Sequence, residues 1–359
     1  MNAYQQRLAC LRAALRTMEA QCLLVSTPTN VRYLSGFTGS YGALLVSQDG
    51  VLLVSDFRYR FQAADQAPDL DFVEIQRWVP GVAGVIRDLG CATIAFEAAH
   101  LTYQIHAQVA AELEGVRLVP SEGMVENLRM IKDRDEIARI EHAAAISSAA
   151  VERVLALARP GVSERELALA AEDYIRKEAG ADIAFDPIVA SGPRAAQCHA
   201  EPGARELSAG DMVVVDVGAK WEGYGADITR TIAVGAASAQ QREIYSICWR
   251  AQNAALNDVK AGMSCAALDH TARSLIDEAG YGESFGHGLG HGVGLDTHEL
   301  PRLTRGEDAP LSANMTATVE PGIYKPEVGG VRLEDLILVT ADGCRVLTHA
   351  AKPHELPVL

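Results

Sequence analysis

The sequence predicts a chain of two domains, an α/β domain in the first third and a larger region of helices and strands after it. A length of 359 residues favours two domains. Helical and strand-like segments alternate over roughly the first 120 residues, and the break between two periodic regions falls near Pro120–Gly123. We therefore expect one domain over residues 1–122 and the other over residues 123–359.

The first domain is predicted to alternate helices with short strands. Runs rich in Val and Leu favour strands, because branched side chains fit a pleated, half-buried surface. The residues Gln48–Gly50 separate two such runs and are typical of a hairpin turn. The predicted strands are Cys22–Ser26, Ala43–Ser47, Val51–Ser55, Asp71–Ile75 and Thr93–Phe96, and the predicted helices are Ala3–Met18, Tyr59–Gln66, Gly81–Leu89 and Thr102–Leu113.

The second region opens on a long predicted helix, Asp133–Leu157, which ends before a Pro-Gly pair. Ser163 then begins another helix, and Glu166 three residues later completes a capping box. Two helix pairs, over 133–178 and 240–278, each precede strand-rich sequence. This order suggests a weak internal duplication.

Composition and charge exclude several classes of partner. Lys and Arg number 32 against 47 Asp and Glu, for a formal net charge of −15. Such an excess of acidic residues argues against nucleic acid and against anionic membrane surfaces.

The cysteines and the apolar runs predict a cytoplasmic protein. The seven cysteines are scattered and never form C-x-x-C, a pattern typical of free thiols in a reducing compartment. The opening residues MNAYQQRLACLRAAL contain no secretory apolar stretch. Apolar runs such as Gly50–Val54 are too short to cross a bilayer.

Two aspartates are predicted to meet at the ends of neighbouring strands. Asp216 follows three valines in the segment DMVVVDVG, where burying a bare carboxylate is costly. Asp227 opens a second predicted strand, Ile228–Val234, and the turn-like residues between them would form a hairpin. Adjacent carboxylates repel, so either one is protonated or a cation binds. Alternatively, one aspartate caps a turn and the other pairs with Arg230.

A second informative segment is FGHGLGHGVGLDTHE, at residues 285–299. His287, His291 and His298 alternate here with glycines, which allow close backbone approach and therefore convergence of the imidazoles. The segment matches neither G-x-G-x-x-G nor H-E-x-x-H. The alternative is a glycine-rich loop with incidental histidines.

Two glutamates lie in the strand-rich sequence that follows. Glu320 ends a short β-rich run in ATVEPGIY and precedes a Pro-Gly turn. The segment Gly329–Val339, GGVRLEDLILV, alternates as a strand would, so Arg332 and Glu334 would share a face and could pair. Taken singly, each glutamate could equally be an exposed strand residue.

Together these segments supply four carboxylates and one imidazole at strand ends or glycine turns. Their four negative charges would balance two divalent cations, and oxygen ligands with one nitrogen suit Mn²⁺, Co²⁺, Fe²⁺ or Zn²⁺. Bridging carboxylates would hold the ions about 3.5–4 Å apart, the spacing used in two-metal hydrolysis. The candidate ligands are Asp216, Asp227, His291, Glu320 and Glu334.

The order and context of these five residues resemble the pita-bread metallopeptidase family, which includes aminopeptidase P, prolidase, methionine aminopeptidase and creatinase. Asn30–Ser40 (NVRYLSGFTGS) and Asp56–Arg60 (DFRYR) are similar to the creatinase type of amino domain. Leu128–Ile137 (LRMIKDRDEI) resembles the segment that opens the catalytic domain of the proline-specific branch. The resemblance covers nearly the whole chain. It implies an α/β amino domain of creatinase type followed by an α+β pita-bread catalytic domain.

The resemblance also implies an activity, the hydrolysis of the bond between an N-terminal residue and proline by a dinuclear metallo-exopeptidase. Two divalent ions would be the cofactors, Mn²⁺ before Co²⁺, Zn²⁺ or Fe²⁺. Asp216 would chelate one ion, His291 and Glu320 the other, and Asp227 and Glu334 would bridge them. Glu320 would in addition shuttle a proton from water to the leaving nitrogen.

Further roles follow from the resemblance. His199, in VASGPRAAQCHAEP, matches a histidine of the substrate site, and His298 matches the one that contacts the substrate carbonyl or oxyanion. His287 matches a pocket histidine near the proline ring, and Arg332 would orient Glu334. For His199 and His287 the alternative is an ordinary loop histidine.

Arg302 bears on the choice between dipeptides and longer peptides. In some prolidases an arginine at this spacing pairs with the free carboxylate of the dipeptide, and the alternative is a solvated loop arginine. The expected substrates are therefore proline-containing di- or oligopeptides, cleaved by a homodimer or higher homo-oligomer.

Tyr33, Asp56 and Arg58 could reach a neighbouring subunit's site or pack within their own domain. Alternative functions are cleavage of N-terminal Met, action on a non-peptide substrate, or an inactive binding module.

Overall fold

The computed structural model describes residues 2–359, which form two compact units that meet in the sequence at Arg129 and Met130. The predicted boundary after residue 122 precedes this division, and a short helix, α6 (Glu126–Arg129), lies between the two positions. Of the described helices, none has the length and apolar character needed to cross a membrane.

The first unit is built on a six-stranded sheet of order β4-β3-β2-β1-β5-β6. Strands β1 to β3 are antiparallel, and β5 and β6 continue parallel to β1. The strands are β1 Cys22–Val25, β2 Ala43–Ser47, β3 Val51–Ser55, β4 Asp71–Glu74, β5 Thr93–Glu97 and β6 Arg117–Ser121. The helices are α1 Ala3–Leu15, α2 Pro28–Ser35, α3 Arg60–Gln66, α4 Trp78–Asp88, α5 Tyr103–Glu112 and α6 Glu126–Arg129. The predicted α/β character is confirmed.

Three elements of this unit were absent from the sequence prediction, α2, β6 and the short α6. Helix α2 is only 8 residues long, too short for a clear period, but its ends have ordinary signals. Pro28 occupies the first turn, where its missing N–H is not needed. Gly36 ends the helix with a φ of 82°, a left-handed conformation that favours glycine.

Three residues of this unit that could serve a neighbouring subunit also have partners within the unit. Tyr33 is buried, and the guanidinium of Arg7 lies 4.1 Å from its ring centroid. Arg58 pairs with Asp56 at 2.7 Å.

The second unit contains the predicted helix pairs. Helix α7 spans Arg134–Leu157, α8 Glu164–Asp173, α9 Ala239–Asp258 and α10 Cys265–Glu278, and α8 continues as a π-helical turn, Tyr174–Glu178. The capping box of Ser163 and Glu166 is confirmed, and Asp133 with Glu136 forms another at the start of α7. These caps fix where α7 and α8 begin.

The strands of the second unit form several small sheets. The first of them are β7 Asp182–Ile183, β8 Ile188–Ser191, β9 Met212–Val217, β10 Ala219–Trp221, β11 Tyr224–Gly225 and β12 Ile228–Ala233. The others are β13 Gly290–Gly292, β14 Glu299–Leu303, β15 Thr316–Val319, β16 Gly322–Lys325, β17 Gly329–Arg332, β18 Asp335–Val339 and β19 Cys344–Val346. One sheet has the order β12-β9-β8, another β11-β10-β7, a third β14-β13-β15-β18-β19, and β16 pairs with β17.

The glycines of the histidine segment serve close backbone approach, as the sequence indicated. A Cβ atom on Gly290 would lie 2.0 Å from the carbonyl oxygen of Thr318 on β15. A Cβ atom on Gly292 would lie 2.1 Å from the carbonyl oxygen of Leu300 on β14. Strand β13 therefore fits between its two neighbours only if these positions lack a side chain.

The prediction of one strand over Gly329–Val339 is wrong. Strand β17 ends at Arg332 and β18 begins at Asp335, in a different sheet. Glu334 therefore lies in the connection, where its N–H donates to the carbonyl of Thr229 on β12. The alternation of apolar residues runs through the connection because both strands are buried.

Candidate metal centre

Most of the predicted site residues line a cavity of about 630 Å³ in the second unit. It is lined by all five candidate metal ligands and by the side chains of His199, His287, His298 and Arg332. Phe185, Ile188 and Pro202 form part of an apolar wall beside them.

The hairpin prediction accounts for the position of the two aspartates. Strands β9 and β12 are antiparallel, with Asp216 opposite Thr229 and with Asp227 immediately before β12. Both carboxylates are buried, and their Oδ1 atoms have no hydrogen-bond partner among the described residues. A buried carboxylate oxygen without a donor requires compensation, which a cation would provide.

Three of the predicted ligands already present donor atoms to a common point. One ligand atom each from Asp227, His291 and Glu334 lies within 4.8 Å of the others. The Nε2 atom of His291 also lies 3.4 Å from Oε1 of Glu320.

The tautomer of His291 supports a cation at this point. Its Nδ1 donates to the carbonyl of Gly292 at 3.1 Å, and burial lowers the pKa of the ring, so Nε2 carries a lone pair. That lone pair faces carboxylate oxygens of Asp227 at 3.8 Å and Glu320 at 3.4 Å. Two acceptors and a lone pair repel one another unless a cation lies among them.

The carboxylate pKa values report the same crowding. Burial, followed by the charges of Glu334, Asp216 and Glu320, raises the pKa of Asp227 well above its ordinary value. Burial and the charges of Glu320 and Asp216 do the same for Glu334. Burial also raises the pKa of Glu320. The oxygen-rich donor set with one imidazole fits one or more divalent cations of the Mn²⁺ to Zn²⁺ class.

Arg332 contacts a different carboxylate from the one predicted. Its Nη2 lies 2.5 Å from Oδ2 of Asp216, and it reaches Glu334 through a hydroxyl. Its Nε donates to Oγ1 of Thr229 at 3.1 Å, and that hydroxyl donates to Oε2 of Glu334 at 2.6 Å. Arg332 and Glu334 belong to different segments of the fold, and for this reason the predicted direct pair does not form.

The alternative in which Arg230 pairs with one of the two aspartates is wrong. Arg230 forms a buried ion pair with Asp335 at 2.7 Å and donates to the backbone carbonyl of Glu334 at 2.6 Å. Lys352 contacts the second oxygen of Asp335 at 2.5 Å. This network fixes the backbone of Glu334 through its carbonyl group.

His287 is held by a chain of hydrogen bonds. Its Nδ1 donates to the carbonyl of Gly288 at 2.7 Å, so Nε2 accepts from the hydroxyl of Tyr324 at 2.9 Å. Arg332 in turn donates to that hydroxyl at 3.2 Å. Burial lowers the pKa of His287, which keeps the ring neutral in this arrangement.

His199 and His298 are exposed side chains on the wall of the cavity. The ring centroid of His298 lies 4.1 Å from that of His291. Partial burial, then the neighbouring His291 and His199, lowers the pKa of His298. The segment on both sides of His199 is anchored by buried Glu164, which accepts from Arg194 Nε and from the N–H groups of Ser191 and Gly203.

Arg302 lies outside the group of described residues that line the cavity. It is exposed on β14 and stands opposite His291 in the β13–β14 register. Residues opposite each other in an antiparallel pair share a face, so Arg302 extends toward the same side of the sheet as His291.

The sequence interpretation missed three hydroxyl groups of the site, those of Thr229, Thr318 and Tyr324. Thr318 accepts from the N–H of His291 and donates to Glu320, each at 3.0 Å. Thr229 and Thr318 each lie two residues from a predicted ligand, the spacing at which side chains along an extended chain share a side, and that spacing was the available signal. For Tyr324, the available signal was its position at the end of the segment ATVEPGIY, which contains the predicted ligand Glu320.

Comparison with known proteins agrees with this geometry. Residues 138–341 match the family described as metallopeptidase family M24, and residues 7–131 match the creatinase/prolidase N-terminal domain. An Xaa-Pro dipeptidase from Bacillus anthracis is 40% identical with a TM-score of 0.95, covering 99% of this chain and 100% of that one.

Two further relatives differ from each other in the activity that their names give. An Xaa-Pro dipeptidase from Pyrococcus horikoshii is 36% identical over 91% of this chain and 92% of its own. An X-Pro aminopeptidase structure from Thermotoga maritima is 36% identical with a TM-score of 0.89, covering 98% of this chain and 99% of that one. The chain belongs to metallopeptidase family M24 and is a metal-dependent hydrolase with an amino-terminal domain of the creatinase/prolidase type.

Proposed function

We propose that this enzyme hydrolyses the peptide bond between an N-terminal residue and proline. The observation that carries the proposal is the convergence of Asp227, His291 and Glu334 in a cavity that also contains His199, His287 and His298. Relatives named Xaa-Pro dipeptidase and X-Pro aminopeptidase match the chain over nearly its full length.

The residues present fit two divalent ions, with Mn²⁺ the preferred metal of the proposal. Asp216 would hold one ion, His291 and Glu320 the other, and Asp227 and Glu334 both. When bound, such ions polarise a substrate carbonyl and lower the pKa of water toward neutrality.

The chain's own groups then account for proton transfer and orientation. Glu320, whose pKa is raised by burial, is suited to take a proton from water and release it to the leaving nitrogen of proline. His298 would donate to the substrate carbonyl oxygen as negative charge develops there. His199 would bind the substrate beside it.

The apolar wall offers a reason for proline. Phe185, Ile188 and Pro202 line the cavity together with His287, whose neutral ring is fixed by Tyr324. A rigid, compact pyrrolidine ring would bury apolar surface against such a wall. We further propose that the enzyme is cytoplasmic, since all seven cysteines are free thiols, and that it acts as a homodimer or higher homo-oligomer.

Metal removal and a substrate panel test the proposal. After chelation and dialysis we expect hydrolysis of Xaa-Pro peptides to disappear, and Mn²⁺ or Co²⁺ to restore it, because the carboxylate cluster needs cations to act. Xaa-Pro substrates should be cleaved about 10-fold or more faster than Met-Ala peptides, in line with what an apolar pocket discriminates. Release of the N-terminal residue, followed by chromatography, measures both.

Each half of this test can fail separately. Full activity in a preparation verified to be free of metal would contradict the metal requirement. Faster cleavage of Met-Ala than of matched Xaa-Pro peptides would assign the enzyme to methionine removal instead.

Arg302 provides a test that separates a dipeptidase from an aminopeptidase. We propose that its guanidinium binds the free carboxylate of an Xaa-Pro dipeptide, a group that longer peptides present elsewhere. Arg302→Ala should then raise KM for the dipeptide by about 10-fold, the loss of one charge-assisted hydrogen bond, and leave Xaa-Pro-Yaa tripeptides nearly unchanged. Steady-state kinetics on the two substrates measure the difference.

Arg305→Ala is the matched control, because Arg305 is also exposed and lies outside the cavity lining. Equal effects of Arg302→Ala on both substrates, or none on either, would favour an aminopeptidase.

A further inference from the structure

The segment LRMIKDRDEI contains a buried charge that the catalytic chemistry leaves unexplained. The side chain of Lys132 is 1% exposed, and its Nζ lies 2.7 Å from Oε1 of Glu299, itself 7% exposed. A lysine is rarely buried to this extent, because desolvation of the ammonium group costs several kcal/mol, about as much as a partner returns. Such a pair therefore adds little net stability, and its role is better sought in fixing one conformation of the chain.

The position of Lys132 is fixed from both sides along the chain. Its N–H donates to the carbonyl of Asn314, just before β15, at 3.0 Å. Asp133, the next residue, caps helix α7. Hydrogen bonds therefore hold the backbone on both sides of the Lys132 side chain, just before the start of α7.

Glu299 is the first residue of β14 and closes the loop 294–299. Its Oε2 lies 3.4 Å from the N–H of Asp296, within the same loop. A Cβ atom on Gly294 would lie 2.3 Å from Oε1 of Glu299, so the carboxylate packs directly against the start of the loop. The carbonyl of Gly294 is in turn held by the N–H of Gly225 at 2.7 Å.

His298, the residue before Glu299, lines the cavity together with Thr297 of the same loop. Its ring lies against that of His291, with centroids 4.1 Å apart. Because the His298 side chain itself is exposed, its direction depends on the loop backbone. Glu299, the next residue, anchors that backbone to the buried Lys132, and on the other side of His298 the Oγ1 of Thr297 donates to the carbonyl of Ala184 at 3.3 Å.

We propose that Lys132 is a positioning residue that holds His298 over the carboxylate cluster through Glu299. Lys132 touches neither substrate nor ligand set, and its charge serves to fix one conformation of the loop 294–299. A geometric error of about 1 Å at a reacting group lowers rates by about 100-fold. This inference rests on the proposed role of His298 toward the substrate.

The experiment compares Lys132→Met with the double variant Lys132→Met/Glu299→Met and with Lys260→Met, an exposed lysine as control. The single variant leaves Glu299 buried without its cation, so we expect it to unfold at a lower temperature than the wild type. The double variant removes both charges and should regain stability. Three readouts are measured on the metal-loaded protein, namely thermal unfolding, amide hydrogen exchange of residues 293–300, and kcat with KM for Xaa-Pro peptides.

We expect the double variant to recover wild-type thermal stability while its kcat stays about 10–100-fold low and its KM changes little. Amide hydrogen exchange of residues 293–300 should be faster in both Lys132 variants, while their metal content stays at the wild-type level. The control Lys260→Met should match the wild type in every readout. A folded double variant with wild-type kcat and unchanged exchange would overturn the proposal. If the single variant fails to fold, the double variant alone decides.

Failure of the proposed function would look different. Wild-type protein would then be inactive on Xaa-Pro peptides, whereas hydrogen exchange would still report whether Lys132 orders the loop.

Discussion

Asp227→Asn is expected to lower kcat/KM for Xaa-Pro peptides by about 100-fold or more, beyond the usual loss for residues that merely support a metal ligand. The substitution removes a charge from a cluster in which Oδ2 of Asp227 lies 3.8 Å from Nε2 of His291. An amide would also turn an NH₂ group toward the cation. Metal content after loading and kcat/KM measure the two consequences.

In the metal-free protein, the same substitution should stabilise the fold instead of impairing it. Burial and the charges of Glu334 and Asp216 raise the pKa of Asp227 in the folded protein. A group with a raised folded-state pKa stabilises the fold at pH values below its unfolded pKa, and that contribution is lost as pH rises through the folded value. Metal-free wild-type protein should therefore lose stability as pH rises from acidic toward alkaline, and Asp227→Asn should lose less.

Thermal unfolding with and without Mn²⁺ separates these effects. Mn²⁺ should raise the melting temperature of the wild type and of the control Asp308→Asn, which changes an exposed residue, more than that of Asp227→Asn. Wild-type metal content together with wild-type kcat/KM in Asp227→Asn would remove Asp227 from the ligand set.

Arg332→Met is expected to damage both stability and activity. The guanidinium is 4% exposed and is the ion-pair partner of Asp216, so its loss leaves a buried carboxylate uncompensated. Breaking a buried ion pair in this way costs about 3–5 kcal/mol. We therefore expect a lower melting temperature in the metal-free protein, with part of the loss recovered when a cation neutralises Asp216.

The catalytic effect of Arg332→Met should follow from two lost contacts. Tyr324 would lose the donor that fixes its hydroxyl beside His287, and Thr229 would lose the donor that orients it toward Glu334. Loss of supporting contacts of this kind lowers activity by about 10–100-fold. Metal-loaded Arg332→Met with wild-type kcat/KM would show that these hydroxyls do not depend on Arg332.

Arg250→Met supplies the control, since Arg250 is exposed on α9. Arg332→Lys should recover part of the charge effect and little of the Tyr324 contact, because an ammonium group lacks the planar fork of a guanidinium.

Much of this protein could be predicted from its sequence, because the relevant signals are local. Ser163 and Glu166 form the predicted capping box, and the strand–turn–strand pattern around Asp216 and Asp227 forms the predicted hairpin. The glycines of the histidine segment have a local cause too, since a Cβ on Gly290 or Gly292 would overlap neighbouring backbone.

Tertiary structure alone decided which charged groups meet. Period-two alternation placed Arg332 beside Glu334, but alternation cannot show that the chain changes sheets between them. The partner of Arg332 is Asp216, 116 residues earlier, and Arg230 pairs with Asp335 instead of with a neighbouring aspartate. Buried charges select partners by three-dimensional proximity in a medium where an unpaired charge is costly, and sequence spacing does not encode that proximity.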